Sequence, residues 1–354
     1  MNDSSSGTDM SPPGTIHPVA VCGKVDSISR FQFIYIPDMK HNSICILGGT
    51  GFVGKNIASR LANSAKRVRI LTRNRNNHRD LLVLPNIELI ETNINDSSEL
   101  EKHLDGMDAV INLVGILNET QHNGDGFRKV HVELPKNILN TCIKLNIPRI
   151  VHMSALNADA NLGPSFYLRT KGEGENALHT FSSSRLAVTS FRPSVIFGPG
   201  DSFLNRFAGL LKMTPYIFPL ACAQARFAPV YVGDVADRFV AAIDDRNTYG
   251  KHYNLCGPEE FTLKELVEYT ARTLGLKRPI IALPDFISKM QAYMLEWFPG
   301  KPFSIDNYNS LTQDSVCPEG EHEPTTLDMI VPSYLGNTNR QTGYDMLRKI
   351  ARRP

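Results

Sequence analysis

The 354 residues carry 38 Lys and Arg against 36 Asp and Glu, and this near-balance, a net charge of +2, argues against nucleic acid as the partner. Hydrophobic residues make up 42% and charged residues 21%, an ordinary globular balance, and no apolar run approaches the ~18 residues of a membrane span. The six cysteines, at 22, 45, 142, 222, 256 and 317, include no Cys-x-x-Cys pair; this speaks against a zinc or dithiol redox site and for a reducing, cytoplasmic setting.

Residues 1 to 14 are rich in Ser, Asp, Gly and Pro and read as disordered. They lack a basic start followed by an apolar core, so they are no signal peptide, and Asp3 and Asp9 argue against a mitochondrial transit peptide. Residues 31–36 are apolar and suit an added edge strand. Met39 stands just before the first strong strand, and residues 1–38 are expected to be dispensable.

Residues 44–47 are continuously apolar, as in a strand buried on both faces, and lead into Gly48-Gly49-Thr50-Gly51-Phe52-Val53-Gly54. Val53, Ile57 and Leu61 then recur at helical spacing. Strand, glycine turn and helix together make a dinucleotide fingerprint: the turn lets the backbone approach a pyrophosphate, and the first helical amides point at it. The same residues nearly spell a phosphate-binding P-loop, but Asn56 stands where that motif needs a Ser or Thr hydroxyl for magnesium.

Val68, Ile70 and Leu71 form a second strand ending at Arg73. From Gly51 to Arg73 is about the ~20 residues that separate the glycines from the ribose-reading position. A carboxylate there would bind the ribose hydroxyls of NAD(H). Arg73, with Arg75 and Arg79 nearby, suits the 2′-phosphate of NADP(H) instead, which is therefore favoured. A solvated basic loop is the bland reading. Residues 87–90 make a third strand, followed by Asn93 and Ile94 where the adenine edge is read. The fourth strand lies within 108–115 and brings Val114 and Gly115 beside the cofactor ribose. Val130, Leu134, Ile138 and Cys142 mark a helix, bent at Pro135, and residues 150–153 give a fifth strand closing at Ser154. This alternation predicts an α/β fold, a doubly wound parallel Rossmann sheet with a smaller C-terminal lobe.

Tyr167 and Lys171, four apart, share one helix face. A phenol of pKa ~10 is a weak acid-base group at neutral pH, and a neighbouring ammonium stabilises its anion. Tyr167 then exchanges a proton with a carbonyl or alcohol as hydride moves at the nicotinamide, Lys171 also binds ribose, and Ser154 orients the substrate oxygen. Tyr-x-x-x-Lys alone is common by chance; its weight comes from its place after five such strands.

These motifs, with Phe191-Arg192-Pro193-Ser194-Val195-Ile196-Phe197-Gly198-Pro199-Gly200-Asp201 and Pro229-Val230-Tyr231-Val232-Gly233-Asp234, resemble the extended or atypical short-chain dehydrogenases/reductases over about residues 42–345. Residues 167–171, 201–207, 226–230, 314–317 and 332–335 are most similar to the subgroup of the nucleotide-binding accessory subunit of mitochondrial complex I and its bacterial relatives, some placed in ubiquinone biosynthesis. The resemblance implies that Pro193 and Ile196 lie along the nicotinamide and that Arg226 faces the substrate cleft. His131 stands where catalytic members carry an active-site Asn, a departure that bears on turnover. The partner is then a small-molecule substrate or a respiratory or quinone-making complex, and the activity is carbonyl or quinone-related reduction or an accessory role. Sugar-nucleotide epimerisation is the alternative.

The expected domain map is 1–41 as an extension, 42–195 plus 228–256 as the Rossmann domain, and 196–227 plus 257–354 as the smaller lobe. Residues 229–232 read as a strand, with Asp234 capping the next helix. Thr262-x-x-Glu265 is a capping-box signature, and Gly275 suits the end of the helix it starts. Phe286, Met290, Tyr293, Met294 and Trp297 form one helical stripe. Packing within the lobe is the simpler reading, and a surface for a membrane, quinone or complex the sharper one. Arg348, Lys349, Arg352 and Arg353 make the C-terminus basic and suit peripheral contact with an anionic membrane.

Overall fold

The computed structural model describes residues 40–119, 123–182, 185–297, 303–317 and 322–336; the expectations for residues 1–39 and for the basic C-terminus lie outside them. The strands are β1 (Ser43–Leu47), β2 (Arg67–Thr72), β3 (Ile87–Glu91), β4 (Ala109–Asn112), β5 (Arg149–Met153), β6 (Ala187–Pro193), β7 (Ile196–Phe197), β8 (Phe218–Leu220), β9 (Arg226–Phe227), β10 (Val230–Tyr231), β11 (His252–Leu255), β12 (Phe261–Thr262) and β13 (Ile280–Ala282). Seven of them form a parallel sheet in the order β11-β6-β5-β4-β1-β2-β3. The order reverses between β1 and β4, and at such a switch the carboxyl ends of the strands open a crevice.

The apolar run of β1 is explained by two cores, one on each sheet face. Ile44 and Ile46 pack with Ile57 and Leu61 of α1 (Phe52–Ala62) and Phe239 of α7 (Val232–Ala242). Cys45 and Leu47 point the other way, toward Leu100 and Leu104 of α2 (Ser97–Leu104) and Ile138 and Cys142 of α4 (Leu134–Lys144). A strand covered on both faces has no polar side to show.

Before α4 the helical path starts with α3 (Asp125–Arg128) and passes through a π-turn, Lys129–Glu133. Pro135 sits in the first turn of α4, so the irregularity precedes it. Proline has no N–H to give the carbonyl four residues back, that of His131. The backbone of α5 (Phe166–Thr180) closes on this carbonyl: a Cβ on Gly174 would lie 1.8 Å from the His131 oxygen.

A third core joins α6 (Leu204–Met213), α8 (Leu263–Thr273) and α11 (Leu327–Leu335) around Phe197, Leu211, Leu266 and Val331. The capping box forms as read: Thr262 Oγ1 accepts from the Glu265 amide and the Glu265 carboxylate accepts from the Thr262 amide, while Gly275 follows at φ +69°. Three readings are corrected. Asp234 is no N-cap, since α7 starts at Val232; its carboxylate instead accepts from the Thr325 amide and hydroxyl. The stripe on α9 (Asp285–Leu295) does not pack inside the lobe: Ser288 and Ala292 face inward, whereas Phe286 is 77% and Trp297, just beyond the helix, 83% exposed. Finally, Cys256 and Cys317 form a disulfide, against the expectation of a purely reduced set. No described helix is long and apolar enough to cross a membrane.

Candidate functional site

The glycine turn has the shape its residues foretell. Gly48 adopts φ +79°, and the Gly51 amide donates to the Gly48 carbonyl at 3.0 Å. A Cβ on Gly54 would meet the Gly48 oxygen at 2.5 Å, so only glycine lets α1 sit this close to β1. At Gly51 a Cβ would touch only that oxygen, at 3.3 Å, leaving its outer side open. Helix α1 follows its N-cap Gly51 with no side-chain cap and no acidic residue in its first turn, so no side-chain anion competes for its leading amides. Thr50 lies in the turn itself. This cradle fits a pyrophosphate.

Arg73 follows β2 and is exposed, as are Arg75 and Arg79. Asn93 and Ile94 follow β3, with Ile94 leaning on the core and Asn93 exposed. At the end of β4, buried Asn112 accepts from the Val114 amide through Oδ1 at 3.2 Å and fixes the bend into Gly115. A Cβ on Gly115 would lie 3.2 Å from Lys171 Nζ, which ties this turn to α5. Pro193 closes β6, and Ile196 begins β7.

On α5, Lys171 Nζ donates to the Met153 carbonyl at 3.0 Å, and burial lowers its pKa to about 8. Tyr167 lies one turn earlier, its ring edge-on to Phe127 and His131. Burial first, then the Asp306 carboxylate, raise the phenol to about 12. Asp306, on α10 (Ile305–Ser310), accepts from the amides of Phe166 at 2.6 Å and Tyr167 at 3.2 Å.

Ser154 departs from its expected role. Its hydroxyl donates to Glu175 Oε2 at 2.6 Å, turned into the protein rather than toward a substrate oxygen. Glu175, fully buried, also accepts from Arg192 Nε at 3.0 Å and contacts His252. Its signal was in the sequence: it lies four residues beyond Lys171 on the same helix face. Glu175, His179 and His252 bring ligand-type atoms within 4.8 Å of one another, but the carboxylate is already held by Arg192 and Ser154, and the two imidazoles stack with centroids 3.9 Å apart instead of converging. Arg226 is exposed at the lobe and pairs with Glu260.

His131 is buried and fully engaged. Its Nε2 accepts from the Ile116 amide at 3.1 Å, which places the ring proton on Nδ1, beside Thr170 Oγ1 at 3.1 Å. Thr170 in turn donates to the Phe166 carbonyl at 2.7 Å. Burial, then the charge of Lys171, push the imidazole down to about 2, so it stays neutral. It splints the β4 turn to α5, with its one ring proton directed at Thr170.

The chain matches the NAD dependent epimerase/dehydratase family over residues 44–256. It is 28% identical over 314 residues to the mitochondrial NADH-ubiquinone oxidoreductase 40 kDa subunit of Neurospora crassa, covering 85% of this chain and 80% of that protein. It is 25% identical over 245 residues to the ceramide reductase of Caulobacter vibrioides, covering 68% of this chain and 74% of that one. Among solved structures, the Thermus thermophilus UDP-glucose 4-epimerase complex with NAD superposes with a TM-score of 0.58 at 19% identity, over 75% of this chain and 98% of that one, a likeness of fold.

Proposed function

Because the chain belongs to the NAD dependent epimerase/dehydratase family, we propose that it binds a nicotinamide dinucleotide in the crevice between β1 and β4 and reduces a carbonyl or quinone-related substrate. The observation that carries this reading is the meeting, at one sheet edge, of an uncapped glycine turn with a buried lysine one helical turn from a tyrosine. Gly48, Thr50, Gly51, Phe52, Val53 and Gly54 would hold the pyrophosphate, Asn93 and Ile94 the adenine, Val114, Gly115, Tyr167 and Lys171 the ribose, and Pro193 and Ile196 the nicotinamide. Exposed Arg73, with no carboxylate in its place, supports NADP(H) over NAD(H). The bound nicotinamide supplies hydride. Tyr167 gives its phenolic proton to the substrate oxygen, and the ammonium of Lys171 steadies the phenolate that remains. Ser154 supports the pair from behind, locking β5 to α5 through Glu175. Arg226, exposed and paired with Glu260, would face the substrate from the lobe.

A second reading is favoured by two observations: His131 seals the place of a relay group, and α9 presents a bare apolar face. Here the bound NADP(H) is structural, and the protein is an accessory of a respiratory or quinone-making complex, peripheral on the inner membrane. The likeness to the Neurospora 40 kDa subunit supports this reading.

Gene replacement separates the two. Strains carrying Tyr167→Phe, Gly51→Asp with Arg73→Glu, or a deletion are compared for quinone content and NADH-driven respiration, once each protein is seen to accumulate. Enzymatic use predicts that Tyr167→Phe matches the deletion. A wild-type Tyr167→Phe strain beside a failing cofactor-site strain selects the accessory role, and an unaffected deletion removes both.

A further inference from the structure

Helix geometry leaves the first amides of α5 without partners inside the helix. Three of them are satisfied: Ser165 Oγ accepts from Leu168 at 3.1 Å, and Asp306, 140 residues further along the chain, accepts from Phe166 and, at a separation of 139, from Tyr167. Ser310 joins the same junction, its hydroxyl donating to Ser165 Oγ at 2.8 Å. The other side of α10 grips the opposite wall of the crevice. Asn307 Nδ2 donates to the Leu117 carbonyl at 3.2 Å, and Ser304 Oγ meets Asn118 Oδ1 at 3.5 Å. One short helix from the C-terminal region thus clasps both the turn that carries Tyr167 and the loop after β4.

We propose that Asp306 is a positioning residue through which the C-terminal region sets both the placement and the charge state of Tyr167. The inference rests on the reading that Tyr167 handles the proton. Asp306 is buried, and its carboxylate is a fixed negative charge at the foot of the helix turn that holds the phenol. A phenolate must form in a buried place and, in addition, against that charge, so the hydroxyl keeps its proton and stands as an acid toward a carbonyl oxygen. The other groups around it act differently. Lys171, on the same helix, favours the phenolate; neutral His131 and Phe127, from the π-turn and α3, contribute ring edges without charge. Glu119 and Arg169 act on Asp306 itself, in opposite directions. Burial raises the pKa of Asp306, and the Phe166 and Tyr167 amides act against it by holding the charged form.

The test places 3-fluorotyrosine at position 167, where the fluorine makes the phenol titrate in an accessible range and reports its ionisation by 19F NMR. In the full-length protein without substrate, Asp306→Asn is expected to lower this pKa by about one pH unit. Ser310→Ala, which loosens the same junction without removing charge, leaves it in place. Equal values in Asp306→Asn and wild type overturn the proposal. Should Asp306→Asn fail to fold, hydrogen exchange in the wild type decides: the Phe166 and Tyr167 amides are protected like the middle of α5, and exchange as fast as a frayed first turn refutes the clasp. Because no readout involves turnover, a shifted pKa beside a silent Tyr167→Phe strain would leave the Asp306 linkage intact while removing its catalytic meaning.

Discussion

His131 and Lys171 illustrate how burial, rather than residue type, decides chemistry. The imidazole that stands where a relay group was expected is locked neutral between a backbone amide and Thr170. Lys171 has the opposite fate, since its depressed pKa brings its titration close to the working range. Its folded value of about 8 lies below the ordinary 10.5, so between these pH values the unfolded chain holds a proton that the folded chain has released. Stability of the cofactor-free protein therefore rises with pH across that window, and Lys171→Met should remove the rise, as urea unfolding at pH 8 and pH 10 will measure. Tyr167 has the reverse sign. Its phenol stays protonated to about 12 in the fold but ionises near 10.0 when unfolded, so stability falls from pH 10 to 12, and Tyr167→Phe flattens that fall.

The π-turn and α5 are best understood together. Pro135 frees the His131 carbonyl, and Gly174 lets a second helix press its backbone against it. A methyl group at 174 has no side chain to push aside, only the carbonyl itself. Gly174→Ala is therefore expected to destabilise by about 3 kcal/mol, the upper end of overpacking effects, with a lower urea midpoint at similar slope. Gly209 on α6 supplies the contrast, because nothing lies within 4 Å of a Cβ built there. Gly209→Ala should stabilise by roughly 0.5–1 kcal/mol through helix propensity. Equal losses at both positions would show that the close helix contact is not the cause.

Across the whole molecule, the C-terminal region works as a strap over the carboxyl edge of the sheet. The Ser315 amide donates to the Arg226 carbonyl at 2.8 Å, Ser194 Oγ donates to the Ser315 carbonyl at 2.7 Å, and Asn157 Nδ2 donates to the Asp314 carbonyl at 2.7 Å. Cys317 then fastens the strap to Cys256 just after β11. For a separation of 61 residues, loop-closure entropy puts the stabilisation from this bond at about 4 kcal/mol. Cys317→Ser should lower the melting temperature, and a reductant should lower that of the wild type but not of the variant. The apolar face of α9 lies in the same C-terminal region, exposed.

Local sequence determined much of this protein. The glycine turn, the alternation that builds the parallel sheet and the Thr262 capping box each arise from neighbours in the chain, whose spacing alone dictates backbone shape. The Tyr167–Lys171 pair was legible for the same reason, since one helical turn brings them together. The partners of these residues were not. Ser154 turns to Glu175, Asp306 reaches α5 from 140 residues away, Cys256 finds Cys317, and the α9 stripe faces outward because small Ser288 and Ala292 are the side that packs. Such choices depend on which surfaces meet after the chain has crossed the sheet. Periodicity marks a face as apolar without saying what covers it, and a hydroxyl or carboxylate satisfies its hydrogen bonds with whatever donor or acceptor the tertiary fold brings near.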